Sequence, residues 1–308
     1  MNRAAPGRPS IFALPWALGV SKMALILADR SRRAARRCAG AAPPARISLT
    51  ARWDVNDASG IVDEGEVLIR PARGRRDPEV APDLILGMTG PILDRLVKRL
   101  EGRAVPVTGA APDRVFQVGE AACPQVTLAG PFLGAPQAVL GLEKMIVLGA
   151  RRVWVTGWCG SLQPDLRIGD LVLPSDAFSD EGTSRHYPLE GEEPRADPAL
   201  RRRLGAAAER RGLTARTGRL WSTDAPYRET RAQVRAFRDA GLLAVEMEMS
   251  ALLTVAAFRG VRLAGLLTVS DELFDLTWRH GFSGDRLREA DEAVAALLEE
   301  AVLRPAAE

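Results

Sequence analysis

The chain has 308 residues, of which 46% are hydrophobic and 26% charged, and this is enough for one large α/β domain or two small ones. Its formal net charge of +3 arises in residues 1–50, where basic residues far outnumber the single acid Asp29, so the remainder is mildly acidic and lacks the basic footprint of a nucleic-acid-binding protein. Three widely separated cysteines and two histidines argue against a disulfide framework and a zinc site.

The first 50 residues are predicted to lie outside the folded domain. The apolar run from Ile11 to Val20 is only ten residues long and contains Pro15, so it cannot span a bilayer as a helix. It also lacks the pattern of a secretory signal, because Lys22 and then a group of arginines follow it. We expect a disordered Arg/Ala/Pro-rich tail or a mis-assigned start over 1–50, a folded domain over 51–308, a cytoplasmic location and no membrane contact.

From Asp83 onward, strand-like apolar runs alternate with segments of helical periodicity, which predicts a sheet covered by helices. The predicted strands are 83–88, 115–118, 125–128, 153–156, 171–173, 216–221, 242–245 and 261–269. The predicted helices are 92–100, 135–148, 198–211, 231–240 and 285–303, and glycines at 149, 212 and 241 are typical helix ends. No linker interrupts this region. The pattern therefore predicts a single α/β domain with a mixed, mostly parallel central sheet flanked by helices.

Acidic residues follow two of the predicted strands. Glu246 and Glu248 come after the strand 242–245, and Asp271 comes after the strand 261–269. Ligands of open α/β sheets bind at the carboxyl ends of strands, so these carboxylates are candidate ligand-binding groups. The alternative is structural: Ser270 and Asp271 would cap a following helix, and either glutamate would favour a helix dipole.

Several separated motifs occur in one order and spacing that resembles the nucleoside phosphorylase superfamily, which includes uridine phosphorylase and the hexameric purine nucleoside phosphorylases. The resemblance extends from about Asp83 to Val302. The motifs are 157–164 (GWCGSLQP), 168–172 (IGDLV), 181–187 (EGTSRHY), 244–250 (AVEMEMS) and 267–272 (LTVSDE). It implies cleavage of the N-glycosidic bond of a small-molecule nucleoside, no cofactor, inorganic phosphate as the co-substrate, and a homo-oligomer that is a dimer or a hexamer.

The resemblance also implies roles for individual residues. Glu248 corresponds to the glutamate that binds ribose hydroxyls, with Met247 packing beneath the sugar, whereas Glu246 is expected to be structural. Asp271 corresponds to the acid that protonates a departing purine. Segment 222–227 resembles the uridine branch, so the choice between a purine and a pyrimidine base stays open. Tyr227 or Trp221 would stack on it, although either fits a core aromatic equally well.

The phosphate-binding positions depart from the family pattern. The arginine that precedes the Gly-x-x-Gly turn in many relatives is Val155 here, and a serine or threonine inside that turn is Trp158. The arginine that corresponds to the first-loop arginine of the relatives lies two positions further along this sequence, at Arg95. The candidate phosphate-binding residues are Thr89, Gly90, Arg95 and Gly157.

Three functions are compatible with this pattern. Phosphorolysis of a nucleoside is the leading hypothesis. The second is hydrolysis, for which known hydrolytic relatives carry a first-loop glutamate, whereas residues 88–94 offer only Asp94. The third is a non-catalytic nucleoside-binding protein that keeps the ribose site. Base release with and without phosphate separates the three.

Overall fold

In the computed structural model of the chain, the described residues are 67–109, 114–121, 123–190 and 193–304. They all lie in one compact unit, Ala58–Glu308. The tail predicted over 1–50 lies outside the described residues. The strands are β1 Asp83–Gly87, β2 Arg103–Ala104, β3 Arg114–Glu120, β4 Cys123–Gly130, β5 Arg152–Ser161, β6 Leu171–Asp180, β7 Ala215–Thr223, β8 Ala244–Glu246, β9 Arg262–Glu272 and β10 Arg279–His280. The α-helices are α1 Gly90–Arg99, α2 Ala135–Leu148, α3 Pro198–Arg210, α4 Arg231–Asp239, α5 Met249–Phe258 and α6 Asp285–Leu303.

These strands form one mixed sheet that closes on itself over half of its width. The order is β10-β9-β6-β7-β8-β5-β1-β4-β3-β2, and β9 also pairs with β5. Strands β5, β8, β7, β6 and β9 therefore form a closed ring, from which β1 to β4 extend as an open sheet. β4, β1, β5 and β9 are mutually parallel neighbours, whereas β8 runs antiparallel to β5. The predicted α/β fold with a mixed sheet and flanking helices is confirmed.

The burial of the central strands explains their sequences. In β1, Leu84, Ile85 and Leu86 are all fully buried, so side chains on both faces of the sheet are covered. A strand buried on both faces reads as a continuous apolar run rather than an alternating one. Helices α1 and α3 both contact α6, and α2 contacts α5. No helix among the described residues is long and apolar enough to cross a membrane.

Most predicted elements occur within a few residues of their expected bounds, and the helices 135–148 and 285–303 match at both ends. Helix α5 is missing from the prediction, because nearly all of its residues are buried and its sequence carries no amphipathic period.

The helix-capping interpretation of Ser270 and Asp271 is wrong. Strand β9 continues through both residues to Glu272.

Candidate active site

Glu248 lies between the end of β8 and the start of α5. Its side chain is buried, with 6% of its surface exposed, and its Oε1 accepts a hydrogen bond of 2.6 Å from the backbone N–H of Gly134. Gly134 precedes α2 and has a φ of 80°, a conformation that glycine adopts without strain. The half-buried Met247 lies beside this glycine, with its Cε 3.9 Å from the position a Cβ would occupy there. The structure thus brings the predicted ribose-binding pair together with a loop that follows β4.

Glu246 holds the backbone that presents Glu248. Its Oε2 accepts hydrogen bonds of 2.7 Å from the backbone N–H groups of both Glu248 and Met249, and its Oε1 accepts from the hydroxyl of Ser222 on β7. These bonds satisfy N–H groups at the start of α5 that have no intrahelical partner. Glu246 is therefore positioned as the structural member of the Glu-Met-Glu motif.

Burial makes both glutamates weak acids. Desolvation raises the pKa of Glu248 to about 8, and the nearby Glu246 carboxylate adds to the rise. Desolvation also raises the pKa of Glu246 to about 6, against hydrogen bonds that favour its ionised form. Near neutral pH the pair therefore retains a proton. A protonated carboxyl can donate one hydrogen bond and still accept others, which suits two vicinal hydroxyl groups.

Asp271 lies in β9 opposite Gly160 of β5. Its Oδ1 accepts from the Ser270 hydroxyl at 2.7 Å, and its Oδ2 accepts from the indole Nε1 of Trp278 at 2.9 Å. A Cβ at position 160 would lie 3.0 Å from Oδ2, so the glycine makes room for the carboxylate. Burial raises the pKa of Asp271 above its ordinary value, whereas the hydrogen bonds from Ser270 and Trp278 lower it.

Glu229 is a second acid beside Asp271 that the sequence analysis did not select. It is half-buried and follows the short 3-10 helix Pro226–Arg228. Desolvation and the charge of Asp271 raise its pKa to about 7. Its position two residues after Tyr227, just beyond the segment 222–227 that was compared with the uridine branch, is the signal that would have selected it.

Glu181 is held in the ionised form beneath the site. Its carboxylate accepts from the hydroxyls of Ser179, Ser184 and Ser250 and from the backbone N–H groups of Thr183 and Ser184. Burial raises its pKa, but these bonds outweigh burial and keep the pKa below its ordinary value. The Ser250 backbone N–H in turn donates to Ser222, which joins Glu181 to the network around Glu246.

The two aromatic residues predicted to stack on the base lie in opposite environments. Trp221 is 1% exposed, packs on Phe237 with ring centroids 4.6 Å apart, and donates its N–H to Asp180 at 3.0 Å. Its ring offers no free face, so the core-aromatic alternative describes it. Tyr227 is 99% exposed and lies in the 3-10 helix after β7.

The four predicted phosphate-binding residues differ in their surroundings. Thr89 is the N-cap residue of α1 and makes no capping bond with its side chain; within the described residues, its buried Oγ1 has no hydrogen-bond partner. Gly90 is the first residue of α1. Gly157 packs against Met88, because a Cβ at position 157 would lie 2.8 Å from the Met88 Cβ. The guanidinium of Arg95 is already engaged, because it donates to Glu292 at 3.1 Å and to the Pro91 carbonyl at 3.2 Å.

The two positions at which the family pattern is broken are both part of the packed fold. Val155 is 1% exposed in the core. Trp158 donates its indole N–H to the two carboxylate oxygens of Asp291 on α6, at 3.1 and 3.3 Å. Arg95 lies 4.0 Å from the same carboxylate. Because successive side chains of a strand alternate, Trp158 points to the face opposite Gly157.

Two relatives that are similar in sequence are nucleoside phosphorylases. The purine nucleoside phosphorylase DeoD-type of Bacillus cereus is 31% identical over 180 residues, which cover 58% of this chain and 76% of that protein. The guanosine phosphorylase of Halorubrum lacusprofundi is 35% identical over 140 residues, covering 44% and 57% respectively.

Solved structures share the fold. The purine nucleoside phosphorylase from Toxoplasma gondii in complex with immucillin-H superimposes with a TM-score of 0.66 at 21% identity, covering 77% of this chain and 97% of that chain. The uridine phosphorylase from Vibrio fischeri gives a TM-score of 0.64 at 24% identity, covering 73% and 93%. The family model described as the phosphorylase superfamily matches residues 84–303. The chain therefore belongs to the phosphorylase superfamily.

Proposed function

We propose that this protein cleaves the N-glycosidic bond of a nucleoside by phosphorolysis, releasing the free base and ribose 1-phosphate. The observation that carries the proposal is the buried Glu248, held by Gly134 and backed by Glu246, in the same ring of strands as Asp271. Relatives named as nucleoside phosphorylases support the reaction type. In this scheme Glu248 binds the ribose hydroxyls and Met247 packs beneath the sugar.

Asp271 is the group that we propose protonates the departing base. Cleavage leaves negative charge on the base, and burial raises the pKa of the Asp271 carboxyl group, which favours the protonated form that a general acid needs. A purine accepts such a proton on a ring nitrogen, so we favour a purine nucleoside as the substrate. Tyr227 remains a candidate to cover the base. No cofactor takes part in the scheme.

Phosphate would bind at the start of α1. The N–H groups of a helix N-terminus and its dipole favour an anion, and the unpartnered Thr89 hydroxyl adds a donor there. Gly90 contributes a backbone N–H, and Gly157 allows close approach from β5. The guanidinium of Arg95 would be available to a phosphate there only after its hydrogen bond to Glu292 is broken.

Hydrolysis is the second candidate, and one observation favours it. Val155 is apolar and buried, and the indole of Trp158 is bonded to a carboxylate rather than free for an anion. The side chains that carry the phosphate charge in relatives are therefore replaced. In this candidate reaction water attacks the sugar in place of phosphate, and the product is free ribose.

The deciding experiment measures base release from guanosine, inosine, adenosine and uridine with and without inorganic phosphate. Phosphorolysis predicts release that rises with phosphate concentration and ribose 1-phosphate as the product. Release that is indifferent to phosphate, with free ribose as the product, would replace phosphorolysis by hydrolysis. Calorimetric binding of a nucleoside with no release under either condition would indicate a binding protein.

We further propose that the protein forms a homo-oligomer, a dimer or a hexamer. Leu140 and Val147 lie two turns apart on α2, and Leu133 lies just before the helix; all three are large apolar residues exposed to solvent. Seven-residue spacing puts Leu140 and Val147 on one side of the helix. An apolar stripe of this kind is typical of a contact between subunits. Sedimentation velocity of the purified protein measures the oligomeric state.

A further inference from the structure

The segment after β9 folds back on Asp271. Strand β10 pairs antiparallel with the end of β9, so that His280 lies opposite Asp271 and Arg279 lies opposite Glu272. The backbone N–H of Gly281 donates to the Ser270 carbonyl at 2.8 Å. The loop of this hairpin, residues 273–278, carries Trp278. The hairpin thus holds Trp278 against the side chain of Asp271.

The contact between Trp278 and Asp271 is a directed hydrogen bond made by a largely exposed ring. The indole N–H donates to Oδ2 at 2.9 Å, while 60% of the Trp278 side chain is exposed. Burial of the ring therefore does not account for its position. With Ser270 bonded to Oδ1, each carboxylate oxygen has one donor, so rotation of the Asp271 carboxyl group is restricted.

Ring contacts also hold the indole of Trp278. Trp278 packs on His280 with centroids 5.2 Å apart, His280 stacks on Phe282 at 5.6 Å, and Phe282 stacks on Trp158 at 5.8 Å. Trp158 is itself anchored by Asp291. This chain of four rings connects the hairpin to the body of the sheet.

We propose that Trp278 is a positioning residue for Asp271, holding its carboxyl group in the orientation that delivers a proton to the leaving base. The inference rests on the proposed function, because it takes Asp271 as the acid. Asp271 must still be protonated to act, while the indole N–H stabilises its ionised form. The Trp278 hydrogen bond therefore lowers the proton affinity of Asp271 somewhat and fixes the direction of its carboxyl group.

Trp278→Phe tests the proposal, because it keeps a ring in the stack and removes the N–H. We expect kcat to fall by roughly tenfold with KM nearly unchanged, since a hydrogen bond to an ionised group is lost. The alkaline limb of the kcat profile should move to higher pH by about one unit, because losing a bond to the carboxylate raises the pKa of Asp271. A variant with the wild-type profile and kcat would overturn the proposal.

Other titrating groups face Asp271 and need a control. Glu229 lies beside it, His280 pairs with it across the hairpin, and the buried Cys159 thiol lies within electrostatic range. The profile is therefore measured for Trp278→Phe in the wild-type and Glu229→Gln backgrounds, and the shift should persist in both.

Trp154→Phe is the matched control for the loss of an indole N–H. Trp154 donates to Asp83 at 3.0 Å in the core and takes no part in the proposed site. It should leave the position of the alkaline limb unchanged even if the variant is less stable.

A second measurement separates this inference from the proposed function. The ¹H–¹⁵N resonance of the Trp278 indole, assigned by its loss in Trp278→Phe, should titrate with Asp271 in wild type and stop titrating with it in Asp271→Asn. If no nucleoside is cleaved, phosphorolysis and hydrolysis are both wrong, and this titration still reports on the hydrogen bond between Trp278 and Asp271. An indole resonance with the same pH dependence in wild type and Asp271→Asn would contradict the positioning role.

Discussion

Replacing Glu248 by glutamine should stabilise the protein at alkaline pH while weakening nucleoside binding. Glutamine has the same shape and keeps an acceptor oxygen for the Gly134 N–H, but it cannot ionise. The wild-type carboxyl group is buried beside Glu246, so its ionisation is costly. The variant removes that cost and, above about pH 8, also removes the charge that ribose hydroxyls would meet.

The magnitude follows from the pKa of Glu248, which burial raises from 4.5 to about 8. Between these values the folded protein keeps a proton that the unfolded chain has released, so the free energy of unfolding falls as the pH rises through this window. At about 1.4 kcal/mol per unit, the full penalty above pH 8 is at most about 5 kcal/mol. We expect a net gain for Glu248→Gln of about 1 to 3 kcal/mol at pH 9, because the buried amide carries its own desolvation cost.

Urea denaturation at pH 5, 7 and 9 measures this difference, with Glu209→Gln on the exposed surface of α3 as the control for loss of one negative charge. The gain should be small at pH 5 and largest at pH 9. At pH 9, where the wild-type Glu248 is ionised, nucleoside affinity should fall by at least about tenfold, since hydrogen bonds to a charged group contribute about 1.5 to 3 kcal/mol each. Unfolding curves of wild type and Glu248→Gln that differ equally at all three pH values would refute the reasoning.

Two further variants test the other carboxyl groups. Glu246→Ala leaves the N–H groups of Glu248 and Met249 without their acceptor, so it should lower the free energy of unfolding by about 2 to 4 kcal/mol. Thermal denaturation measures this loss, and a variant that unfolds at the wild-type temperature would contradict the capping role. Asp271→Asn cannot transfer a proton, so base release should slow by roughly 100- to 10,000-fold while calorimetric nucleoside affinity changes little. An unchanged rate in Asp271→Asn would assign the leaving-group acid elsewhere, with Glu229 as the next candidate.

The sequence is sufficient to predict the elements whose side chains have a clear period, but not how the sheet closes. Helices α2 and α6 carry such periods and glycine or acidic boundaries, and both bounds are predicted. Helix α5 is apolar on all sides and escapes detection for that reason. Closure of the ring depends on the pairing of β9 with both β5 and β6, which are contacts between distant segments that no local pattern encodes.

The site residues likewise divide into those that a local motif indicates and those that depend on contacts between distant segments. Glu248, Met247 and Asp271 are selected from short motifs, and the structure brings Glu248 to Gly134 through a contact between residues 114 positions apart. Gly134 and Trp278 have no sequence signal, because each matters only through the partner that the fold brings to it. Arg95 has the right residue type near the expected place, yet α6 provides Glu292 and Asp291, which hold its guanidinium.

Placing several carboxyl groups in one ring of strands would repel an anionic co-substrate if all were ionised. The structure limits this repulsion in two ways. Glu181 remains ionised but is surrounded by hydroxyl and N–H donors that spread its charge. Burial raises the pKa of Glu248 to about 8 and that of Glu229 to about 7, so near neutral pH these two carboxyl groups add less negative charge than their number suggests. The burial that raises the pKa of Glu248 and Glu229 therefore keeps the site compatible with a phosphate anion.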